Sequence, residues 1–302
     1  MDVQVHLPIG LVRLGARLTL QRALGLPPAA QRRRIEQLAG FLPMPGGVAV
    51  SRLTLGGVPC ERLTHRGATE GTILYLHGGG YVSGSFRTHR ALAARLALAA
   101  GTDALVPEYR LAPEDPCPAA IEDALACYRA LPALEVVTSG GTAIVGDSAG
   151  GGLGLATAQA LRDASEPLPT CLGLISPWVD LTASGASVRS LDGVDAVLRR
   201  DFLKASAARY AGKLTTSDPR VSPLFGDLAG LPPTLIQTGA EELFLSENRE
   251  LAAGLEAAGV EVTYQELERC WHAVQLLAGF LREADLAVAA MGTWIAGELR
   301  PS

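Results

Sequence analysis

Ala143-Ile144-Val145-Gly146-Asp147-Ser148-Ala149-Gly150-Gly151-Gly152 is the stretch that decides how this chain is read. It begins in a short apolar run of the β type, Thr142 to Val145, and ends in an Ala/Leu/Gly-rich segment of helical character, Gly151 to Leu161. Between them lies a G-x-S-x-G pattern, Gly146 to Gly150. A serine at a strand-to-helix corner is held in a strained turn with its hydroxyl exposed, and the flanking glycines keep a Cβ from crowding the neighbouring strand or helix. The helix that follows aims its first N–H groups at any negative charge forming beside that hydroxyl. A bland glycine turn would contain the same five residues, so the weight falls on their surroundings.

A length of 302 residues fits one large α/β domain, or a core with a small cap. With 48% hydrophobic and 19% charged residues the chain is globular, which excludes a disordered protein. The net charge of −5 argues against nucleic acid as a partner, which would call for a basic stripe. No apolar run reaches the roughly 20 residues of a membrane span, and the N-terminus lacks the basic start and apolar core of a signal peptide. The expectation is a cytoplasmic protein without stable membrane insertion. Cys60, Cys117, Cys127, Cys171 and Cys270 are odd in number, scattered and without a C-x-x-C pair, and so read as reduced packing thiols. The five histidines have no H-x-x-x-H spacing, so no metal site is expected.

Working outward along the chain, residues 9–25 carry Leu11, Leu14, Leu18 and Leu24 at helical spacing, with Arg13, Arg17 and Arg22 on other faces. A second helix fits 28–41, with Arg32-Arg33-Arg34 as a solvated face. These residues, 1–45, are expected to form a helical cap over the core, although a basic amphipathic helix can also lie on a membrane. Pro43-Met44-Pro45-Gly46-Gly47 reads as the linker. Val48–Leu55 and Val58–Thr64 form a hairpin around Gly56-Gly57. Further strands are predicted at 72–76, 104–107, 142–145, 171–175, 234–238 and 260–267, and helices near 88–100, 117–131, 150–163, 246–258 and 273–298. This alternation predicts a mostly parallel eight-stranded sheet with helices on both faces, built from 46–181 and 231–302. Residues 182–230 interrupt the rhythm, with a helical piece at 200–211. They are expected to be a cap insertion above the ligand crevice.

Leu76-His77-Gly78-Gly79-Gly80-Tyr81 follows the 72–76 strand. Three consecutive glycines free the backbone to turn N–H groups inward, where they can hold the oxyanion of a tetrahedral intermediate. Together with Tyr109-Arg110-Leu111-Ala112-Pro113-Glu114, the Gly146–Gly151 elbow, Pro116–Asp123 and Ser176-Pro177-Trp178-Val179-Asp180-Leu181, these motifs carry a family resemblance. The chain resembles the hormone-sensitive-lipase-like esterases of the α/β-hydrolase fold over roughly residues 45–300. The resemblance implies Ser148 as nucleophile and the N–H groups of Gly78, Gly79 and Ala149 as the oxyanion hole. The residues agree in kind, since such a hole combines the residue after the nucleophile with the glycine loop.

The triad order in this fold is serine, acid, histidine, and His272 is the one histidine that follows Ser148. The family usually has aspartate a few residues past the seventh strand; this chain has Gly239-Ala240-Glu241-Glu242-Leu243. Counting from Gly239, and back from Ala258-Gly259, favours Glu242 as the acid. Local acid-x-Leu spacing would favour Glu241. Ser246 stands where many relatives have a second aspartate. Asp147, Glu114, Asp123 and Asp180 read as structural or solvated acids, and Tyr109-Arg110 as shaping the loop behind the oxyanion hole.

The reading is therefore a serine carboxylesterase acting on a small-molecule ester of short to medium chain length, through a Ser148–His272–Glu242 triad and no cofactor. Activity should rise through about pH 6–7 as His272 becomes neutral. An amide, lactone or carbamate hydrolase would use the same triad. Plant hormone receptors on this fold lack the histidine that this chain has. Relatives commonly dimerise through a sheet edge, so a homodimer is a further expectation by analogy.

Overall fold

The computed structural model describes residues 6–68, 71–134 and 141–300. Eight strands form a single sheet in the order β1-β2-β4-β3-β5-β6-β7-β8. They are β1 (Val48–Leu55), β2 (Val58–His65), β3 (Thr72–Leu76), β4 (Asp103–Pro107), β5 (Thr142–Asp147), β6 (Cys171–Ile175), β7 (Thr234–Gly239) and β8 (Val262–Leu267). The β1–β2 hairpin closes at the Leu55↔Val58 pair around Gly56-Gly57, and β2 runs antiparallel to β4. The remaining pairings, from β4 through β8, are parallel. The helices are α1 (Ile9–Leu24), α2 (Pro28–Ala39), α3 (Phe86–Ala100), α4 (Ala119–Ala130), α5 (Ala149–Asp163), α6 (Ala186–Ser190), α7 (Arg200–Ala211), α8 (Leu245–Ala257) and α9 (Arg282–Glu298).

Strand periodicity sorts the core into two layers. Leu74 and Leu76 of β3 face α4, α5 and α8, through residues such as Ile121, Leu153 and Leu251. Ile73 and Tyr75 face α3 and α9, through Leu96, Met291 and Ile295. The central strands β3 to β7 are buried along their whole length, which is why they read as continuous apolar runs instead of alternating ones. Among the described residues no helix is long and apolar enough to cross a membrane.

The expected elements are present, with instructive differences. Helix α3 starts two residues early because Ser85 caps it, its hydroxyl accepting from the Thr88 N–H while Thr88 reaches back to the Ser85 N–H. The expected helix over 273–298 is broken. A 3-10 turn at Val274–Leu277 ends at Gly279, which takes a φ of +94°, and α9 starts afresh at Arg282. Helix α1 turns a different face inward from the one the leucine spacing suggested: Leu11, Leu14 and Leu18 are about half exposed, while Ala16 and Ala23 are buried. Arg13 and Arg17 lie on the inward side because their guanidiniums find partners there: Glu241 and the Arg269 carbonyl for Arg13, the Gly193 and Val194 carbonyls for Arg17. Arg32, expected to be solvated, donates to the Val82 and Ala112 carbonyls and pairs with Glu114.

The loop between β4 and α4 is fixed by Arg110. Its N–H donates to Asp123 Oδ2 at 2.8 Å and its guanidinium grips the same carboxylate at 2.8–3.0 Å. The backbone bond is sheltered while the guanidinium is half exposed, so removal of Asp123 by Asp123→Ala should cost about 1–3 kcal/mol. Urea unfolding measures this, and an unchanged midpoint would contradict it.

Candidate active site

The strand β5 delivers Ser148 to the corner before α5. Its φ of +53° and ψ of −122° lie outside the regions open to ordinary residues, and the surrounding structure holds it there. The Ser148 N–H donates to the Ile175 carbonyl at 2.8 Å, and the Ser148 carbonyl accepts from Gly152 and Trp178. The corner is too tight for side chains. A Cβ on Gly146 would lie 2.3 Å from the Gly150 carbonyl oxygen, and one on Gly150 would lie 2.0 Å from that of Leu76.

His272 follows β8 in a buried loop and lines the same cavity as Ser148, together with Gly79 and Gly80. The cavity encloses about 670 Å³, part of it open to solvent, and its walls are otherwise mainly apolar: Leu20 and Leu24 of α1, Ile35 of α2, Leu198, Phe202 and Leu276. His272 Nδ1 stands 3.8 Å from Glu242 Oε1, within ion-pair range and beyond a hydrogen bond. Burial pulls the His272 pKa down, but the carboxylates of Glu242, Asp195 and Asp147 more than offset it and raise the value above its ordinary 6.5. Glu242 is fully buried at the end of β7. Its Oε2 accepts from the Gly239 N–H at 2.7 Å and from Ser176 Oγ at 2.6 Å. Ser176 in turn accepts from the Ala273 N–H, so one hydroxyl ties the carboxylate to the histidine loop. Glu241 points elsewhere, to Arg13 of α1.

The Gly78 N–H donates to Asp147 Oδ1 at 3.0 Å and is thereby committed, and Gly78 does not line the cavity. The N–H groups of Gly79, Gly80 and Ala149 make no hydrogen bond to another described residue. Of the three loop glycines, Gly79 and Gly80 line the cavity. Tyr109 does hold this loop: its hydroxyl donates to the His77 carbonyl at 2.6 Å and its ring stacks on His77.

Asp195 gave no signal in the sequence. It is fully buried, and its Oδ1 accepts from the N–H groups of Val197 and Leu198, which line the cavity. Its Oδ2 accepts from the Leu243 N–H, next to Glu242. Burial raises its pKa to about 6, although His272 works in the opposite direction. Ser246 is bonded to Ser187 of α6, whose hydroxyl also donates to the Leu243 carbonyl. Residues 187 and 195 thus fasten the 182–230 segment to the turn that carries Glu242.

The model of an alpha/beta hydrolase fold family matches residues 73–276. Over 95% of the chain and 93% of the relative, the sequence is 38% identical to the putative acetyl-hydrolase LipR of Mycobacterium tuberculosis. It is 40% identical to an acetyl-hydrolase of Streptomyces hygroscopicus, over 87% of the chain and 86% of the relative. The crystal structure of an esterase from the bacterial hormone-sensitive lipase family superposes with a TM-score of 0.91 at 36% identity, covering 98% of this chain and all of that one. The fold and the site define a hydrolase of the α/β-hydrolase class. Within it, the chain belongs to the hormone-sensitive-lipase-like carboxylesterases.

Truncation of Asp195 by Asp195→Ala leaves three N–H groups without their acceptor in a buried setting. The expected loss is roughly 2–4 kcal/mol of stability. Denaturant midpoints report it, and a loss below about 1 kcal/mol would show that the site does not depend on this fastening.

Proposed function

We propose that this carboxylesterase hydrolyses short- to medium-chain carboxylic esters through a Ser148–His272–Glu242 triad, with the oxyanion held by the N–H groups of Gly79, Gly80 and Ala149. The observation that carries the reading is the convergence of Ser148 and His272 on one apolar cavity, with a buried carboxylate 3.8 Å behind the imidazole. His272 takes the Ser148 proton as Oγ attacks the ester carbonyl, whose electron pair moves onto oxygen beside the three amides. Collapse breaks the bond to the alkoxy group, which leaves as alcohol with the proton from His272. Water then repeats the sequence on the acyl-enzyme and releases the acid. Glu242 orients the imidazole and stabilises its charged form.

Residues 6–45, the described part of the segment 1–45, and 182–230 act as the cap of this pocket. Leu20, Leu24 and Ile35 from the first and Leu198 and Phe202 from the second form its apolar roof. Such walls favour an uncharged acyl or alkyl group and leave no partner for an anionic one. The names of the acetyl-hydrolase relatives point to the short end of the range.

On p-nitrophenyl butyrate, Ser148→Ala should lower turnover by roughly 10⁴-fold or more with the fold intact. Glu242→Gln should lower it by roughly 10²–10⁴-fold. Glu241→Gln should stay within about threefold, since Glu241 pairs with Arg13 of α1 and not with His272. The reverse ranking would reassign the acid. Neutral His272 is the active base, and a raised pKa means that its proton is held to higher pH. The acidic limb of kcat/KM should therefore have its midpoint above 6.5. Glu242→Gln should move that midpoint down; a limb insensitive to this change would contradict the assignment.

A further inference from the structure

His89 and Asp147 form a buried pair on the cavity wall that the triad does not use. Asp147 precedes the nucleophile. Its Oδ1 accepts from the Tyr75 hydroxyl at 2.7 Å and from the Gly78 N–H at 3.0 Å. Its Oδ2 faces His89 Nε2 at 3.3 Å. The carboxylate is 1% exposed, so a lone charge there would be costly, and it would repel an oxyanion forming beside Ser148. Burial raises the Asp147 pKa, but His89 and Tyr75 together hold it below its ordinary value. His77 stacks between Tyr109 and His89, and burial and His89 push its own pKa down to about 3. His77 is therefore neutral, and His89 is the ring that meets the carboxylate.

His89 is itself well anchored. It lies in the first turn of α3, and its Nδ1 is 2.7 Å from the hydroxyl of Thr88, the residue that closes the α3 capping box. Gly78 has no room for another residue: a Cβ there would lie 2.2 Å from Asp147 Oδ2. A continuous path of contacts thus runs from the start of α3 through His89 and Asp147 to the first peptide of the glycine loop.

We propose that His89 is a positioning residue for the oxyanion site. It anchors the Asp147 carboxylate, and Asp147, by taking the Gly78 N–H, sets the orientation from which the Gly79 and Gly80 amides face the reacting carbonyl. His89 Nε2 also gives the second carboxylate oxygen a partner at 3.3 Å in this buried setting. This inference rests on the esterase reading above. It adds a role for a residue outside the triad.

The test compares wild type with His89→Leu, His89→Gln and Asp147→Asn, using p-nitrophenyl butyrate and an alkyl trifluoromethyl ketone. That ketone adds Ser148 Oγ to its carbonyl carbon, leaving an oxyanion while His272 takes the proton, so its inhibition constant reports on the oxyanion site. His89→Leu should lower kcat by roughly 10–100-fold with KM nearly unchanged, and weaken the ketone by a similar factor. His89→Gln, whose amide can still donate to Asp147, should recover most of both. Asp147→Asn keeps an acceptor for Gly78 and should fall between the two. A lower melting temperature with kcat and ketone affinity intact would reduce His89 to a packing residue and overturn the proposal. So would a loss confined to KM, or the absence of recovery in a folded His89→Gln protein. Wild-type turnover and its loss in Ser148→Ala, measured in the same series, report on the esterase reading separately.

Discussion

The structure depends on one strained peptide. Ser148 stands at a φ of +53° between β5 and α5, a conformation that costs on the order of 1–3 kcal/mol for a residue with a side chain. Its neighbours pay that cost. Hydrogen bonds at the Ser148 N–H and carbonyl tie it to the end of β6, to Trp178 and to α5, and the Gly146 and Gly150 backbones pack where no Cβ could fit. The parallel sheet puts the end of β5 between the ends of β3 and β6. The glycine loop after β3 and the Ser176 turn after β6 are therefore brought to Ser148 by strand pairing alone.

Around that corner, charged groups are buried only where each has partners. Glu242 takes bonds from Gly239 and Ser176, Asp195 from three backbone amides, and Asp147 from Tyr75 and Gly78 with His89 alongside. Three carboxylates near one imidazole explain why His272 holds its proton more tightly than an isolated histidine. Asp195 fixes Val197 and Leu198 of the cavity wall and, through Leu243, the turn that carries Glu242, so wall and turn are held by one side chain.

Much of this was legible in the sequence because local chemistry and global fold agree there. The elbow needs its glycines, the three-glycine loop follows its strand, and the alternation of strands and helices gave the sheet. What was not legible depends on tertiary contact. The leucine spacing of α1 pointed to the wrong inward face, because Arg13 and Arg17 find acceptors that no periodicity reveals. A run of three glycines does not disclose which amide is committed: the Gly78 N–H is taken by Asp147, which lies 69 residues away. Asp195 sits in a loop with Asp192 and no spacing marks it out; only its burial against Leu243, 48 residues on, reveals its place. Register alone distinguishes Glu241 from Glu242 in the sequence; in the structure Glu241 pairs with Arg13, and Glu242 lies 3.8 Å from the His272 ring.

The most direct measurement is a crystal structure of the protein after reaction with an alkyl fluorophosphonate. The account predicts phosphorus bonded to Ser148 Oγ and the phosphoryl oxygen within about 3 Å of the Gly79, Gly80 and Ala149 nitrogens, with Gly78 still bonded to Asp147. A phosphoryl oxygen held by the Gly78 N–H, or an adduct on any residue other than Ser148, would contradict it.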